Sequence, residues 1–223
     1  MFTEAISSGH GKTGTATRRP WAVRALRGTL RRLAKRTRVL VLSAPRNDFD
    51  PHCPERCVLA RVTRTAPAAD HDLVKKAMRA AGEPNGLVAP RFAHGDEFFG
   101  WQIDGRIVSF GWVTYQDRTV GPFRLANGSS RAFLYNFHTI QEYRGQNLYP
   151  ALLLAMRHVL GLDNVTEFVI DVDVRNTASA RGIEKGGFVP AAQVAFLTLF
   201  SHWRCLGSRT LLERTASPLF RTV

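Results

Sequence analysis

Residues 140–160, "IQEYRGQNLYPALLLAMRHVL", decide the fold, because they lead from a turn into a long apolar segment. Pro150 fits the first turn of a helix, where a missing N–H removes little hydrogen bonding. Residues 151–160 are apolar nearly all round, which is typical of a helix buried against a sheet. Gly145 allows the sharp turn before it. The N–H groups that begin such a helix are unpaired and carry partial positive charge, so the stretch predicts an anion site.

Strands and helices are predicted on both sides of this stretch. "RAFLYNFHTI" (131–140) is a strand before it, and "EFVIDVDVRN" (167–176) is a strand after it, with alternating apolar residues. "TASARGIEKGG" (177–187) is a short helix with a glycine stop. The segments 188–200 and 208–215 supply two more strands. A strand, a glycine turn and a helix in this order can wrap a phosphate.

Further upstream the pattern continues to about residue 56. "RCVLARVTRTA" (56–66) is a strand, and 69–82 is a helix that Asp70 caps and Gly82 ends. Residues 97–116 form a hairpin around Asp104-Gly105, a dipeptide suited to a tight two-residue turn. The order β-α-β-β-β-α-β-α-β-β predicts a mixed α/β sheet.

The beginning of the chain is strongly basic. The protein has 223 residues and a formal net charge of +13, which attracts anions such as nucleic acid, anionic lipid or phosphorylated small molecules. Residues 1–38 contain a single acid, Glu4. Within 18–38, apolar and basic residues fall on separate helical stripes, which is typical of an amphipathic helix that could lie on an anionic membrane surface. The alternative is a solvated extension. We therefore expect a basic, partly helical or disordered extension over 1–55 and a folded domain over 56–215.

Two motifs together resemble a known family. "EYRGQNLYPALL", followed by "VDVRNTASARGIEKGGF", is similar to the acetyl-CoA-binding core of the GNAT acyltransferase superfamily. That family has a turn of the form [Q/R]-x-x-G-x-[G/A] after its fourth strand, and later an Asn and an ending like Y-E-K-x-G-F. The resemblance covers residues 132–190 in detail and agrees in element order back to about residue 56. It implies a mixed, mostly antiparallel sheet flanked by helices.

This sequence departs from the family pattern at three positions. Asn147 stands where the family has Gly, but Asn tolerates left-handed backbone angles, so the turn can survive. Tyr149 replaces Gly or Ala and would narrow the site or stack on the ligand. Ile183 replaces the Tyr that in many members protonates the leaving thiolate. The general acid is therefore absent here or supplied from elsewhere.

The resemblance also implies roles for individual residues. The backbone from Arg144 to Tyr149 would hold the pyrophosphate of acetyl-CoA or another acyl-CoA, the strand edge at Phe137 to Thr139 would pair with the pantetheine arm, and Asn176 would bind that arm. His138 is a candidate base because imidazole titrates near neutrality, although it could instead face the helix layer. Glu142, just beyond the strand, is a second candidate or a solvated turn residue. The cofactor-binding residues are Phe137, Thr139, Arg144, Gly145, Gln146, Asn147, Leu148, Tyr149 and Asn176.

Two aspartates and a tyrosine are candidates for binding the acceptor. Asp171 and Asp173 lie on one side of their strand and could hold a cationic acceptor or form a solvated sheet edge. Tyr135 could reach the same cleft or pack in the core.

The implied function is an N-acetyltransferase that moves an acetyl or longer acyl group from CoA to the amine of a small molecule, without a metal. Turns of the form R-G-x-x-L-Y-P resemble those of enzymes from surface-polysaccharide pathways, which implies an amino sugar as one acceptor. The alternative is a non-catalytic module that binds CoA or another anion, tethered to membrane or nucleic acid by the basic arm.

The composition also indicates which partners and which cellular compartment to expect. No aromatic-rich platform or zinc-finger spacing accompanies the basic arm, so nucleic acid is not the expected partner. The three cysteines have no zinc or redox spacing, which predicts free thiols in the cytoplasm. Peripheral contact with a membrane through residues 18–38 stays the alternative. The residues leave the acceptor, the acyl length and the oligomeric state open.

Overall fold

The structure is a computed structural model that describes residues 34–48, 53–127, 130–199, 203–211 and 219–220. The helix predicted over 18–38 lies outside these ranges up to residue 33. Residues 34–38 are extended rather than helical, because their backbone pairs with another strand of the sheet.

Along the described chain, α-helices interrupt the strands at three places. The strands are β1 (Ala34–Pro45), β2 (Val58–Val62), β3 (Glu97–Ile103), β4 (Arg106–Thr114), β5 (Arg118–Val120), β6 (Phe123–Leu125), β7 (Arg131–Thr139), β8 (Glu167–Asp173), β9 (Val189–Leu199) and β10 (Trp203–Leu211). The α-helices are α1 (Ala68–Ala80), α2 (Val88–Ala93), α3 (Leu148–Leu162) and α4 (Thr177–Lys185), with short 3-10 helices at Asn85–Leu87 and Gln141–Tyr143. The three interruptions come after β2, after β7 and after β8.

One sheet organises the fold, with strand order β10-β9-β1-β8-β7-β4-β3-β2, and β5 and β6 form a separate hairpin. Neighbouring strands of the sheet are antiparallel except β7 and β8, which are parallel. The predicted fold class, a mixed and mostly antiparallel sheet flanked by helices, is confirmed. The predicted hairpin turn is confirmed too: Asp104 and Gly105 have φ of 47° and 79°, as a tight two-residue turn requires.

Strand β1 is the main departure from the sequence prediction, which placed residues 1–55 outside the domain. Its residues pair with β8 on one side and β9 on the other. Leu42 packs in the core on the α3 face, and Val41 packs in the core on the opposite face. A strand buried on both faces is apolar without alternation, which explains "VLVLSA". The domain therefore begins at or before Ala34 rather than near residue 56.

Three cores lie against the sheet. On one face, α3 and α4 pack over the central strands around Leu134, Leu152 and Ile183. On the other face, α1 and α2 cover β2, β3 and β4, while the β5–β6 hairpin covers β1, β8 and β9. Strand β7 lies where these two covers meet: Phe133 packs in the hairpin core, and Tyr135 packs against the α1–α2 core.

Smaller elements differ from prediction. Helix α2 and the β5–β6 hairpin were not predicted. Helix α1 begins at Ala68, so Asp70 lies in its first turn instead of capping it, where its charge still favours the helix N-terminus. Gly82 follows the helix with φ of 76°, as its predicted role as a stop requires.

Arg157 joins three parts of the fold on the α3 face. Its guanidinium donates to the carbonyl oxygens of Pro45 (2.8 Å) and Gly186 (2.6 Å) and lies over the ring of Phe188. Burial lowers the pKa of this guanidinium. The end of β1 and the end of α4 are thus both fixed to the middle of α3. Among the described helices, none has the length and hydropathy needed to cross a membrane.

Candidate functional site

Strand β7 changes direction at Asn136, and this change creates the site. Trp112 of β4 pairs with Tyr135, but Phe110 pairs with His138, so β7 carries one extra residue. Asn136 has φ of 52°, the left-handed conformation that Asn tolerates best. A bulge of this kind bends its strand. Parallel pairing with β8 stops at Leu134, and the rest of β7 has no β8 partner.

A cleft of about 620 Å³ opens where β7 and β8 separate. Its walls are the end of β7, the turn before α3, the first turn of α3, and α4. Of the predicted cofactor-binding residues, the structure brings Phe137, Thr139, Arg144, Gly145, Asn147, Leu148, Tyr149 and Asn176 into the cleft lining. Gln146 is exposed and lies outside this lining.

The turn before α3 has the conformation that an anion site needs. Gly145 and Asn147 have φ of 81° and 56°, so Asn147 does take the left-handed conformation expected of it. The backbone N–H groups of Gly145 and Gln146, and those of residues 147–149, have no acceptor among the described residues. The N–H of Arg144 already donates to the carbonyl of Gln141. Five amides at the positive end of α3 are therefore left for a ligand.

Other parts of the chain hold this turn in place. The Trp101 indole of β3 donates to the carbonyl of Leu148 at 3.1 Å. Lys185 of α4 donates to the side-chain oxygen of Asn147 at 3.2 Å, and Arg144 Nε donates to the carbonyl of Thr139 at 3.1 Å. Arg144, Lys185 and the exposed Arg181 make the mouth of the cleft positive, which favours phosphate groups.

Tyr149 narrows the cleft without filling it. Its ring lies 5.1 Å from that of Phe137 and covers Gly182, where an added Cβ would come within 2.5 Å of the ring. Its hydroxyl lies 3.5 Å from Ser179 Oγ, and burial raises its pKa to about 12. Tyr149 is therefore a neutral wall between β7 and α4.

His138 lies between the cleft and the opposite face of the sheet. It lines the cleft, and its ring stacks on Phe110, which belongs to the core under α1 and α2. Burial lowers the pKa of His138 from its ordinary value of 6.5, Arg144 lowers it further, and Glu83 opposes the shift. The imidazole is thus neutral at neutral pH and can accept a proton.

The other candidates for catalysis and acceptor binding lie outside the cleft lining. Glu142 is exposed on the 3-10 helix before the turn. Asp171 is ion-paired with Arg118 at 3.0 Å. Asp173 is ion-paired with Arg175 at 2.7 Å, and the hydrogen bonds to that residue lower its pKa.

Tyr135 belongs to a polar cluster on the α1–α2 face. Its hydroxyl donates to Asp96, and its ring contacts the guanidinium groups of Arg91 and Arg118. Burial, more than the bond to Asp96, raises the pKa of Tyr135. Ile183 is fully buried in the core on the other face, so that position presents no proton donor to the cleft.

Sequence reasoning missed several residues around the bulge, notably Glu83, Arg91, Asp96 and Asn136. The one available signal was Asn136, because Asn is depleted in strands and tolerates left-handed angles. Glu83 and Arg91 lie between the predicted helix and the predicted hairpin, and no sequence pattern indicated which residues they would contact.

No protein-family model matches the sequence, and no curated protein is similar to it in sequence. Solved structures are similar in fold. An acetyltransferase from the GNAT family of Colwellia psychrerythraea matches with TM-score 0.51 and 15% identity, over 80% of this chain and 61% of its own. A GCN5-related N-acetyltransferase from Kribbella flavida matches with a TM-score of 0.50 and 17% identity, over 80% of this chain and 63% of its own. A functionally unknown conserved protein from Staphylococcus epidermidis matches with a TM-score of 0.54 and 11% identity, over 79% of this chain and 67% of its own.

These similarities establish the class of fold, which is that of the GNAT acetyltransferases. This confirms the fold that the turn before α3 and the "GIEKGGF" ending implied. The chain spans about three fifths of the length of the Colwellia and Kribbella proteins, 61% and 63%.

Proposed function

We propose that this protein transfers an acetyl or longer acyl group from acyl-CoA to the amine of a small molecule. The observation that carries the proposal is the set of five backbone amides at residues 145–149 that have no acceptor among the described residues, at the turn that forms one wall of the cleft where β7 and β8 separate. Such a set at a helix N-terminus suits the diphosphate of CoA.

The remaining parts of CoA would follow from the position of its diphosphate. The pantetheine arm would lie along the edge of β7 at residues 137–139, which β8 does not cover. Asn176 caps α4 by accepting from the Ser179 N–H through Oδ1. Its Nδ2 has no acceptor among the described residues and is the group left to donate to the arm. Phe137 and Tyr149 would flank the arm with their rings.

The reaction is attack of a neutral amine on the thioester carbonyl. The C–N bond forms, the C–S bond breaks, and the amine proton passes to His138. An uncovered N–H of β7 would stabilise the oxyanion. Ile183 cannot protonate the leaving thiolate, but a thiolate is a far better leaving group than an alkoxide and can take its proton from solvent.

The test is a substitution at Gly145, whose φ of 81° favours glycine and whose added Cβ would meet no atom within 4 Å. Gly145→Val therefore acts through the backbone of the turn. We expect CoA affinity, measured by calorimetry, to fall by a factor of about 100, equivalent to two lost hydrogen bonds to a charged group.

Gly105→Val is the matched control for this experiment. Gly105 has φ of 79° and equal space, but it lies in the β3–β4 turn. Its variant should keep CoA affinity at a similar cost in stability. Equal CoA affinity in both variants would remove the proposed CoA site.

Buried Ile183 also supports a second candidate, a non-catalytic module that binds CoA or another anion and is held to membrane or nucleic acid by its basic arm. Thiol release from acetyl-CoA separates the two candidates. We would test amino sugars, polyamines and amino acid esters as acceptors. Tight CoA binding without thiol release in any of them favours the module.

A further inference from the structure

The bulge in β7 is held by two charged side chains from the helical segment that precedes β3. The Asn136 side chain donates from Nδ2 to Glu83 Oε1 at 3.0 Å and accepts from Arg91 Nη1 at 3.0 Å. Glu83 follows α1, and Arg91 lies in α2. We call these three residues the bulge clasp.

Glu83 differs from the other carboxylates near the place where the two covers meet. Asp96 accepts from Tyr135 with one oxygen and contacts His94 with the other. Asp171 is ion-paired with Arg118. Half-buried Glu83, in contrast, is bonded only to a neutral amide and makes no ion pair with any described residue.

A half-buried carboxylate without a cation is unfavourable unless a ligand supplies one. Arg91 does not fill this role directly, because its guanidinium lies over the rings of Trp112 (4.9 Å) and Tyr135 (5.3 Å) and reaches Glu83 only through Asn136. One oxygen of Glu83 is therefore left for a donor that enters from the α1–α2 face.

His138 lies two residues beyond Asn136 and on the same face. The charged groups that act on it are Glu83, from the loop after α1, and Arg144, from the turn before α3, while Phe110 of β4 stacks on its ring. A ligand at Glu83 would thus lie beside a neutral imidazole that opens onto the cleft.

We propose that Glu83 binds the ammonium group of the acceptor on the α1–α2 face of β7, beside His138, so that the acceptor is a cationic primary amine. This inference rests on the proposed function. The bound ammonium gives one proton to His138, which passes it to solvent, and the resulting neutral amine attacks the thioester carbonyl from the side opposite the CoA turn. As the C–N bond forms and the C–S bond breaks, the second proton leaves the nitrogen through His138, and the thiolate takes a proton from solvent. CoA and the acceptor then enter from opposite faces of the sheet.

The test variant is Glu83→Gln, because glutamine can still accept from Asn136 and keep the bulge clasp. The assay is thiol release from acetyl-CoA with spermidine, glucosamine, ethanolamine and glycine methyl ester. With whichever amine the wild-type protein uses, we expect KM for the amine to rise about fivefold to tenfold, as for loss of one partly exposed ion pair. The kcat value and the affinity for CoA should change by less than about twofold.

Glu55→Gln is the matched control, because Glu55 is exposed in the segment before β2. It should leave every parameter unchanged. A second measurement is independent of turnover. Glu83 raises the pKa of His138, so the imidazole titration followed by NMR should move to lower pH in Glu83→Gln and stay in place in Glu55→Gln.

Each result decides one question. Turnover with an unchanged KM in Glu83→Gln, or an unmoved His138 titration, overturns the role of Glu83 and leaves the proposed function intact. If the wild-type protein binds CoA but uses none of the amines, the proposed function fails and this inference fails with it.

Discussion

The two halves of strand β7 have opposite surroundings. Residues 131–134 pair with β8 and are fully buried, and they begin at an ion pair between Arg131 and Glu167. Residues 135–139 have no β8 partner and are partly buried, and Phe137, His138 and Thr139 among them line the cleft, with the bulge clasp behind them. A single extra residue at Asn136 separates these halves. The closed half therefore fixes where β7 and β8 meet, and the bulge fixes where they separate.

The largest expected effect comes from breaking the closed half. The Arg131 and Glu167 side chains are only 1% and 8% exposed, and Arg131 also donates to the carbonyl of Ala126. Arg131→Met breaks the buried ion pair with the Glu167 carboxylate while that carboxylate stays buried, so the free energy of unfolding should fall by about 3–5 kcal/mol. Denaturant unfolding measures this change.

The double variant Arg131→Met with Glu167→Leu separates the effect of charge from that of geometry. Because it removes both charges, it should recover most of the lost stability. A double variant that is as unstable as Arg131→Met would mean that the pair specifies the strand contact through geometry rather than charge.

A smaller effect is expected in the open half, at the bulge. Asn136→Gly keeps the left-handed backbone but removes the bonds to Glu83 and Arg91, which should cost about 2 kcal/mol. Asn136→Val adds backbone strain of about 1–2 kcal/mol. Thermal and denaturant unfolding give both values.

Asn164→Gly is the control for this pair of variants. Asn164 also has a positive φ, 67°, but it lies after α3, away from the clasp. Its replacement should be nearly neutral. If Asn136→Gly is equally neutral, the clasp does not stabilise the bulge.

The smallest effect concerns His138 and pH. Because its pKa is lowered in the folded state from 6.5, the unfolded chain binds more protons once the pH drops below about 6.5. The contribution of His138 to stability is therefore lost as the pH falls through 6.5 and further below it. In His138→Gln the free energy of unfolding should decline less over this range. An identical decline in both proteins would contradict the shift.

Local sequence signals were sufficient for the elements around the cleft. The Gly145 turn, the apolar helix behind it and the Asp104-Gly105 hairpin each depend on nearby residues, so composition and spacing predicted them. Left-handed Asn147 followed from the intrinsic tolerance of Asn.

Long-range features could not be predicted in this way. The run "VLVLSA" has no periodicity. It becomes a central strand because it pairs with β8 on one side and β9 on the other, which only the folded structure shows. Glu83 becomes significant because α1 brings it to Asn136, far along the chain. Short helix α2, which contains Pro90, gave no periodic signal over so few residues.

The central position of β1 has a consequence for how the protein is made. Leu42 leaves the ribosome early, but its partners Ile170 and Pro190 leave late. Contacts between such distant residues slow folding, and the two cores that β1 separates stay incomplete until β8 and β9 have been synthesised. The apolar strand β1 is therefore exposed on the nascent chain until its partner strands exist. The basic residues just before it carry charge that disfavours aggregation during that time.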